Sequence, residues 1–95
     1  MVVHMVSFKY KAGASADARA DHRAKLSMLT DIDGILDFKV GEVFIRSPRS
    51  FDTGLVVLFR DRAALDGYAT NPRHVSIAQL GRDLSETIVA VDFDA

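Results

Sequence analysis

The chain begins with a stretch in which every second residue has the same orientation. Val2, His4, Val6, Phe8 and Tyr10 fall on one side, and the residues between them fall on the other. A period of two is typical of a β-strand that packs one face against a core. The first predicted strand therefore covers residues 2–10.

The second predicted strand covers residues 35–45, in which Leu36, Phe38 and Val40 share a face. Gly41 predicts a bulge, because an isolated glycine inside an alternating pattern often marks one, and the alternation resumes after it. The remaining predicted strands are residues 54–60, whose almost continuously apolar sequence is typical of a strand covered on both faces, and residues 86–93.

Spacings of three and four residues predict the first helix. Ser15 is a suitable N-cap, and Asp33-Gly34 provides a suitable end, since glycine adopts a left-handed cap at low cost. Residues at this spacing share one face of a helix and pack against a core. The predicted inner face consists of Ala18, His22, Leu26, Leu29 and Ile32.

Two shorter helices are predicted in the second half of the chain. Residues 62–69 follow Asp61, which can cap a helix, and residues 73–84 follow the pair Asn71-Pro72. Asparagine at the N-cap with proline at the first helical position is a common helix start. The third helix is predicted to turn Val75, Ile77, Ala78 and Leu84 inward.

The predicted order is β-α-β-β-α-β, with the second helix broken in two. Four strands with helices on one face form an α+β, ferredoxin-like sandwich. A length of 95 residues predicts a single domain, residues 1–95. Because the strands carry apolar residues on both faces, we expect the open sheet face to be buried against the same face of a second copy, giving a homodimer.

Composition narrows the function classes. A net charge of −1 with scattered basic residues argues against nucleic acid as a partner, and the absence of cysteine excludes disulfides and thiolate zinc sites. Three dispersed histidines predict no metal site, and nothing in the sequence calls for a cofactor. No apolar run approaches the roughly 20 residues of a membrane span, so a cytoplasmic location is expected.

The segment Y-x-x-N-P-x-H, residues 68–74, carries the candidate chemistry. His74 lies in the first turn of a predicted helix, where the helix dipole disfavours the charged imidazole and keeps a general base neutral. Tyr68 is predicted on the inner side of its helix, where its hydroxyl could polarise a carbonyl. His4 and His22 interrupt apolar stripes and could line the same pocket, with Phe38 and Phe59 as apolar walls.

Three motifs together resemble the stress-responsive dimeric α/β-barrel (Dabb) family. They are H-x-V-x-F-K at residues 4–9, GILDFKVG at residues 34–41, and Y-x-x-N-P-x-H at residues 68–74. The resemblance covers residues 2–93 and implies a dimer whose two sheets form a barrel, with a small pocket in each subunit. The family commonly has histidine where this chain has Asn71, and Gly54 stands where a further pocket histidine is expected.

The resemblance also implies candidate functions. One group, similar to the plant olivetolic acid cyclase, closes polyketides by an aldol step; its catalytic base and its carbonyl-binding tyrosine match His74 and Tyr68. This favours a cofactor-free cyclase or isomerase, with a small hydrophobic or aromatic ligand. Two alternatives remain open: a stress-associated protein that acts by self-assembly or small-molecule binding, and a cofactor-free monooxygenase of the related dimeric barrels.

Overall fold

Four strands and three α-helices form the domain in a computed structural model that describes residues 1–95. A 3₁₀ turn, Ser27–Leu29, follows the first helix. The strands are β1 (Val2–Tyr10), β2 (Ile35–Glu42), β3 (Thr53–Phe59) and β4 (Ser85–Asp94), and the helices are α1 (Ala16–Leu26), α2 (Arg62–Thr70) and α3 (Pro72–Leu84).

The sheet has the strand order β2-β3-β1-β4, and all three pairings are antiparallel. The prediction of an α+β, ferredoxin-like fold is therefore confirmed. In this order β1 is central, and it connects β3 to the edge strand β4. His4 of β1 lies between Val57 of β3 and Asp92 of β4. This register places a carboxylate directly beside a histidine.

The core lies between the sheet and the helices. The side chains of β1 and β3 that face the helices are buried, except for the half-buried His4, whereas most residues alternating with them are more exposed. β3 is therefore fully covered on one face only. The core residues are Val2, Val6, Phe8, Tyr10, Leu26, Leu29, Ile32, Leu55, Val57, Phe59, Ala64 and Tyr68.

Side-chain caps set the start of each helix, as predicted. Ser15 Oγ accepts a hydrogen bond from the Ala18 backbone N–H at 3.0 Å, and Asp61 Oδ1 accepts one from Ala64 N–H at 2.9 Å. Asn71 Oδ1 accepts one from Arg73 N–H at 3.0 Å. These bonds satisfy backbone donors that have no partner within the helix.

The prediction of a bulge at Gly41 was wrong. Gly41 pairs regularly with Gly54, and the register shifts instead between Ile35 and Asp37. As a result Ile35, and not Leu36, lies opposite Phe59 in the core, and Leu36 is 57% exposed. The strand also ends at Glu42 rather than continuing to Ile45.

Two helical predictions also needed correction. The first helix changes to the 3₁₀ turn after Leu26, well before Gly34, although Gly34 does have the expected positive φ of 87°. Val75 is 47% exposed and does not face inward, whereas Ile77 and Leu84 do pack against the core. Because the apolar residues of α3 do not follow a regular helical spacing, the sequence did not distinguish the exposed Val75 from the inward-facing Ile77 and Leu84.

Candidate functional site

His74 is held in the first turn of α3 by the short connection from α2. Its Nδ1 lies 3.1 Å from the carbonyl oxygen of Ala69, which can only accept a hydrogen bond. Nδ1 therefore carries the hydrogen, and the lone pair of the neutral ring is on Nε2. Burial lowers the pKa of His74, against a smaller opposing effect of the Ala69 carbonyl, and His4 and Arg82 add repulsion that lowers it further.

Tyr68 lies in the last turn of α2, directly beside His74. The two ring centroids are 4.1 Å apart, with an angle of 39° between the ring planes. The Tyr68 side chain is 1% exposed, and its hydroxyl has no hydrogen-bond partner. Burial raises the pKa of Tyr68 to about 12, so the hydroxyl stays protonated and available as a donor.

His4 reaches the same region from β1. Its Nδ1 is hydrogen-bonded to the carboxylate of Asp92 on β4, which orients the ring. The ring centroid of His4 lies 6.0 Å from that of Tyr68. A carboxylate partner at Nδ1 leaves Nε2 of His4 free for another contact.

His22 enters from α1 and is completely buried. Its Nδ1 lies 2.8 Å from the hydroxyl oxygen of Tyr10, and the Tyr10 hydroxyl donates to Thr53 Oγ1 at 2.9 Å. The Nε2 of His22 has no partner. Burial lowers the pKa of His22, with repulsion from Arg23 as a further cause, so this imidazole is also neutral at pH 7.

These four side chains line one cavity of about 200 Å³ between the sheet and the helices. Eleven of its fifteen lining residues are hydrophobic, which is typical of a site for a small apolar molecule with few polar contacts. The lining residues are His4, Val6, Phe8, His22, Leu26, Leu55, Leu65, Tyr68, Ala69, His74, Ile77, Ala78, Arg82, Ile88 and Ala90.

Two of the predicted walls do not line this cavity. Phe59 is fully buried in the core, with its ring centroid 5.1 Å from that of Tyr68, and Phe38 packs against the core from β2. Gly54 pairs with Ser7 on the open face of the sheet, so it does not occupy a cavity position either. Asn71 caps α3 and likewise lies outside the lining. We leave these four residues out of the candidate site.

A larger groove of about 570 Å³ lies on the outer surface between α1 and α3. Its lining includes Lys25, Met28, Arg73 and Leu80 but no histidine, tyrosine or carboxylate. No three histidine, aspartate or glutamate side chains converge as metal ligands. None of the helices combines the length and hydropathy that crossing a bilayer requires.

Sequence reasoning missed two polar residues at the site, Asp92, which contacts His4, and Arg82, which lines the cavity. Asp92 looked unpaired in the sequence, and only the β1–β4 register brings it to His4. Arg82 lies two turns after His74 on α3 and lines the same cavity. The spacing of eight residues could have indicated Arg82, because it returns to nearly the same helix face.

Comparison with known proteins identifies the fold independently. The profile of a family described as the stress responsive A/B barrel domain (Dabb) matches residues 2–95. Among curated protein sequences, none matches this chain. A dimeric ferredoxin-like protein of unknown function from Thermobifida fusca is similar in structure, with a TM-score of 0.91 and 18% identity over 99% of this chain and 90% of that protein.

Two further solved structures carry functional names. The hydroxynitrile lyase from Passiflora edulis has a TM-score of 0.84 and 21% identity, covering 97% of this chain and 90% of its own. An antibiotic biosynthesis monooxygenase has a TM-score of 0.78 and 17% identity, covering 100% of this chain and 98% of its own. Likeness at such identities establishes the fold alone.

Proposed function

This chain belongs to the stress-responsive A/B barrel domain (Dabb) family, and we propose that it is a cofactor-free cyclase or isomerase. In this proposal His74 removes a proton from a carbon next to a carbonyl, and Tyr68 donates a hydrogen bond to the carbonyl oxygen. The observation that carries the proposal is the pair itself: a neutral imidazole and an unpartnered hydroxyl, on rings 4.1 Å apart, lining one apolar cavity.

The tautomer of His74 suits a general base. The Ala69 carbonyl occupies Nδ1–H, so Nε2 is the nitrogen that takes the proton. A lowered pKa keeps this nitrogen unprotonated near neutral pH, which a base requires at the start of each cycle. When His74 becomes positively charged, the Ala69 carbonyl stabilises the ring through the same hydrogen bond.

Tyr68 stabilises the negative charge that forms on the substrate. As the proton leaves, negative charge develops on the carbonyl oxygen, and a donor fixed in a water-poor site stabilises that charge better than water does. The hydroxyl of Tyr68 has no competing acceptor within the protein. Its raised pKa prevents it from ionising itself.

The proposed reaction needs no oxidant or reductant. The electrons of the broken C–H bond form an enolate, and His74 holds the proton on Nε2. In an isomerase the proton returns to another carbon. In a cyclase the enolate carbon attacks a second carbonyl of the same molecule, a C–C bond forms, and the imidazolium returns the proton to the new alkoxide.

Deuterium exchange tests proton abstraction without knowledge of the natural substrate. Acetophenone and benzoylacetone, both small enough for a single-ring cavity, are incubated with the protein in D₂O, and loss of the protons next to the carbonyl is followed by NMR. We expect the wild type to accelerate exchange over buffer. His74→Gln should lose about 10² to 10⁴ of that acceleration, the usual contribution of a general base.

Two further variants sharpen the test. Tyr68→Phe keeps the ring and removes only the hydroxyl, and it should slow exchange by about 10² or more, as the loss of one donor to a developing oxyanion does. Val75→Ala, one residue after His74 but 47% exposed, should behave as wild type. Exchange no faster than buffer with both ketones, or full exchange in His74→Gln, would contradict the proposal.

We also propose that the functional unit is a homodimer formed through the open sheet face. Val3, Met5 and Ser7 of β1 pair with Phe93, Val91 and Val89 of β4, so all six side chains share that face. Met5 is 41%, Val89 46%, Val91 50% and Phe93 46% exposed in the single subunit. Such a patch favours a partner. Structural neighbours such as the Thermobifida fusca protein are described as dimeric.

This apolar face also favours the second candidate function, a stress-associated protein that acts by self-assembly without catalysis. The cofactor-free monooxygenase remains an alternative through the shared fold only. Exchange at the buffer rate together with a stable dimer is the result expected for the assembly protein.

A further inference from the structure

A buried chain of polar groups connects β1, α1 and β3 behind the cavity. The Tyr10 hydroxyl donates to Thr53 Oγ1 at 2.9 Å, and Arg23 Nη1 donates to the same oxygen at 3.2 Å. His22 Nδ1 lies 2.8 Å from the Tyr10 oxygen. Tyr10, Thr53 and His22 are 3%, 0% and 0% exposed, so bulk water does not reach these bonds.

The direction of these bonds fixes the tautomer of His22. A tyrosine has one hydroxyl hydrogen, and Tyr10 gives it to Thr53. The Tyr10 oxygen must then accept the hydrogen on His22 Nδ1. A neutral imidazole protonated at Nδ1 carries its lone pair on Nε2, and burial, which lowers the pKa of His22, keeps the ring neutral.

This lone pair is the feature that the fold leaves unused. Nε2 of His22 is buried and has no hydrogen-bond partner, although His22 lines the cavity. Gly81 allows α3 to approach the His22 ring closely, because a Cβ at that position would lie only 3.0 Å from Nε2 and 3.2 Å from Phe8 Cε1. Burying an acceptor without a partner is costly, and a leucine on this stripe of α1 would avoid the cost.

We infer that His22 Nε2 is a ligand subsite that accepts a hydrogen bond from a phenolic or enolic hydroxyl. The inference rests on the proposed cavity and names the substrate class: a carbonyl compound that also bears such a hydroxyl. Tyr68, whose hydroxyl is also buried without a partner, donates to the carbonyl, and His22 accepts from the hydroxyl. A cavity of about 200 Å³ holds one aromatic ring with short substituents.

Binding of matched ketones tests the subsite. The probes are acetophenone, 3'- and 4'-hydroxyacetophenone, and their methyl ethers, titrated by calorimetry into wild type and His22→Phe. We expect one hydroxy isomer to bind wild type at least tenfold more tightly than acetophenone and than its own methyl ether, as one hydrogen bond to a buried acceptor provides. His22→Phe, which keeps an aromatic ring without the acceptor, should abolish this preference.

Imidazole NMR gives a second readout that does not depend on the His22→Phe variant. Long-range ¹H–¹⁵N spectra of wild type should show His22 protonated on Nδ1. The preferred hydroxyacetophenone should shift its Nε2 resonance, and acetophenone should not. Tyr10→Phe removes the acceptor of Nδ1–H, so the tautomer is no longer fixed and the preference for the hydroxy ligand should fall.

The binding experiments test the His22 subsite, and the exchange experiments test catalysis by His74. Equal binding of hydroxylated and plain ketones, a preference that survives in His22→Phe, or no binding of either hydroxy isomer would overturn the subsite. Exchange next to the carbonyl, with its dependence on His74, is also measured on acetophenone, which has no hydroxyl. That result supports or contradicts the proposed catalysis whatever His22 does.

Discussion

At the scale of single residues, burial determines the charge of the two histidines that matter most. His22 and His74 both have a pKa below the ordinary 6.5, and in each case burial is the largest cause. Both rings are therefore neutral at pH 7, where one can take a proton and the other can accept a hydrogen bond. The same burial makes folding sensitive to acid.

We predict that stability falls as the pH drops from about 7 to 5. Below pH 6.5 the unfolded chain protonates these histidines more readily than the folded chain, so the unfolded state binds more protons and is stabilised relative to the folded state. Each histidine contributes at most about 1.4 kcal/mol per pH unit. Urea unfolding of wild type, His22→Phe and His74→Phe across this range measures the effect.

The removal of either histidine should flatten the pH dependence, because the variant loses one group that protonates on unfolding. A wild-type stability that is constant between pH 7 and 5 would contradict the neutral, buried state of both rings. So would slopes that are unchanged in both variants.

The spacing of residues predicted part of this chemistry. Tyr68 and His74 are close in the chain, and a recognisable helix start between them indicated that they meet. Asp92 contacts His4 because of the strand register, and Tyr10 contacts His22 because α1 packs on the sheet. Neither contact is visible in the pattern of residues along the chain. Pairings of this kind depend on where the strands align.

At the scale of elements, the connection from α2 to α3 positions the site. Thr70 ends α2, Pro72 begins α3, and Asn71 alone separates them. The side chain of Asn71 caps α3 by accepting from Arg73 N–H, and its own N–H donates to the Tyr68 carbonyl at 3.2 Å. One residue thus connects the turn that carries Tyr68 with the turn that carries His74.

We predict that Asn71→Ala lowers the free energy of unfolding by about 1 kcal/mol, the usual cost of losing an N-cap. It should also slow ketone exchange, because the first turn of α3 then holds His74 less firmly. Asn71→Ser restores an acceptor and should recover most of both losses. Equal stability and exchange in all three proteins would show that the cap does not position the site.

A second element-scale prediction concerns the turn before β2. Gly34 has a φ of 87°, and a Cβ there would lie 2.4 Å from the Ala64 Cβ on α2. Gly34→Ala should destabilise the domain by about 2 to 4 kcal/mol, from left-handed strain and overpacking together. Thermal or urea unfolding measures the change.

Gly67→Ala is the matched control for this turn. Gly67 lies within α2, and nothing comes within 4 Å of a Cβ built there. Alanine should therefore stabilise the helix by about 0.5 to 1 kcal/mol. Similar effects of the two substitutions would contradict the close approach between the turn and α2.

Element boundaries were predictable where a side chain caps them, and less so elsewhere. Ser15 and Asn71 carry their own hydrogen-bond chemistry and fixed two helix starts. The bulge at Leu36 arises from how β2 pairs with β3, and the exposure of Val75 from the side on which α3 packs. Both features depend on tertiary packing, which the local sequence does not encode.

At the scale of the whole molecule, the dimer gives a further prediction. Val91→Lys places a charge in the centre of the open face and should convert a dimer of two 10.4 kDa chains into monomers in size-exclusion chromatography with light scattering. Val75→Lys, on an equally exposed site of α3, should remain dimeric. A wild-type monomer, or an unaffected Val91→Lys dimer, would contradict the proposed interface.

The whole fold also explains why architecture was easier to predict than activity. The order of elements and the alternation in β1 determine a ferredoxin-like sandwich. Proteins of this shape include ones named as a lyase and as a monooxygenase. The distinguishing information lies in the side chains that line the cavity, among them His22 with its unpartnered Nε2.

The central claim is that Tyr68 and His74 form a working base site inside the cavity. It is tested most directly by an NMR titration of the His74 imidazole with and without benzoylacetone. We predict a pKa below 6.5, an Nδ1-protonated neutral ring, and a change in the His74 signals on ligand addition. A His74 that titrates as a free imidazole and does not respond to the ligand would contradict the claim.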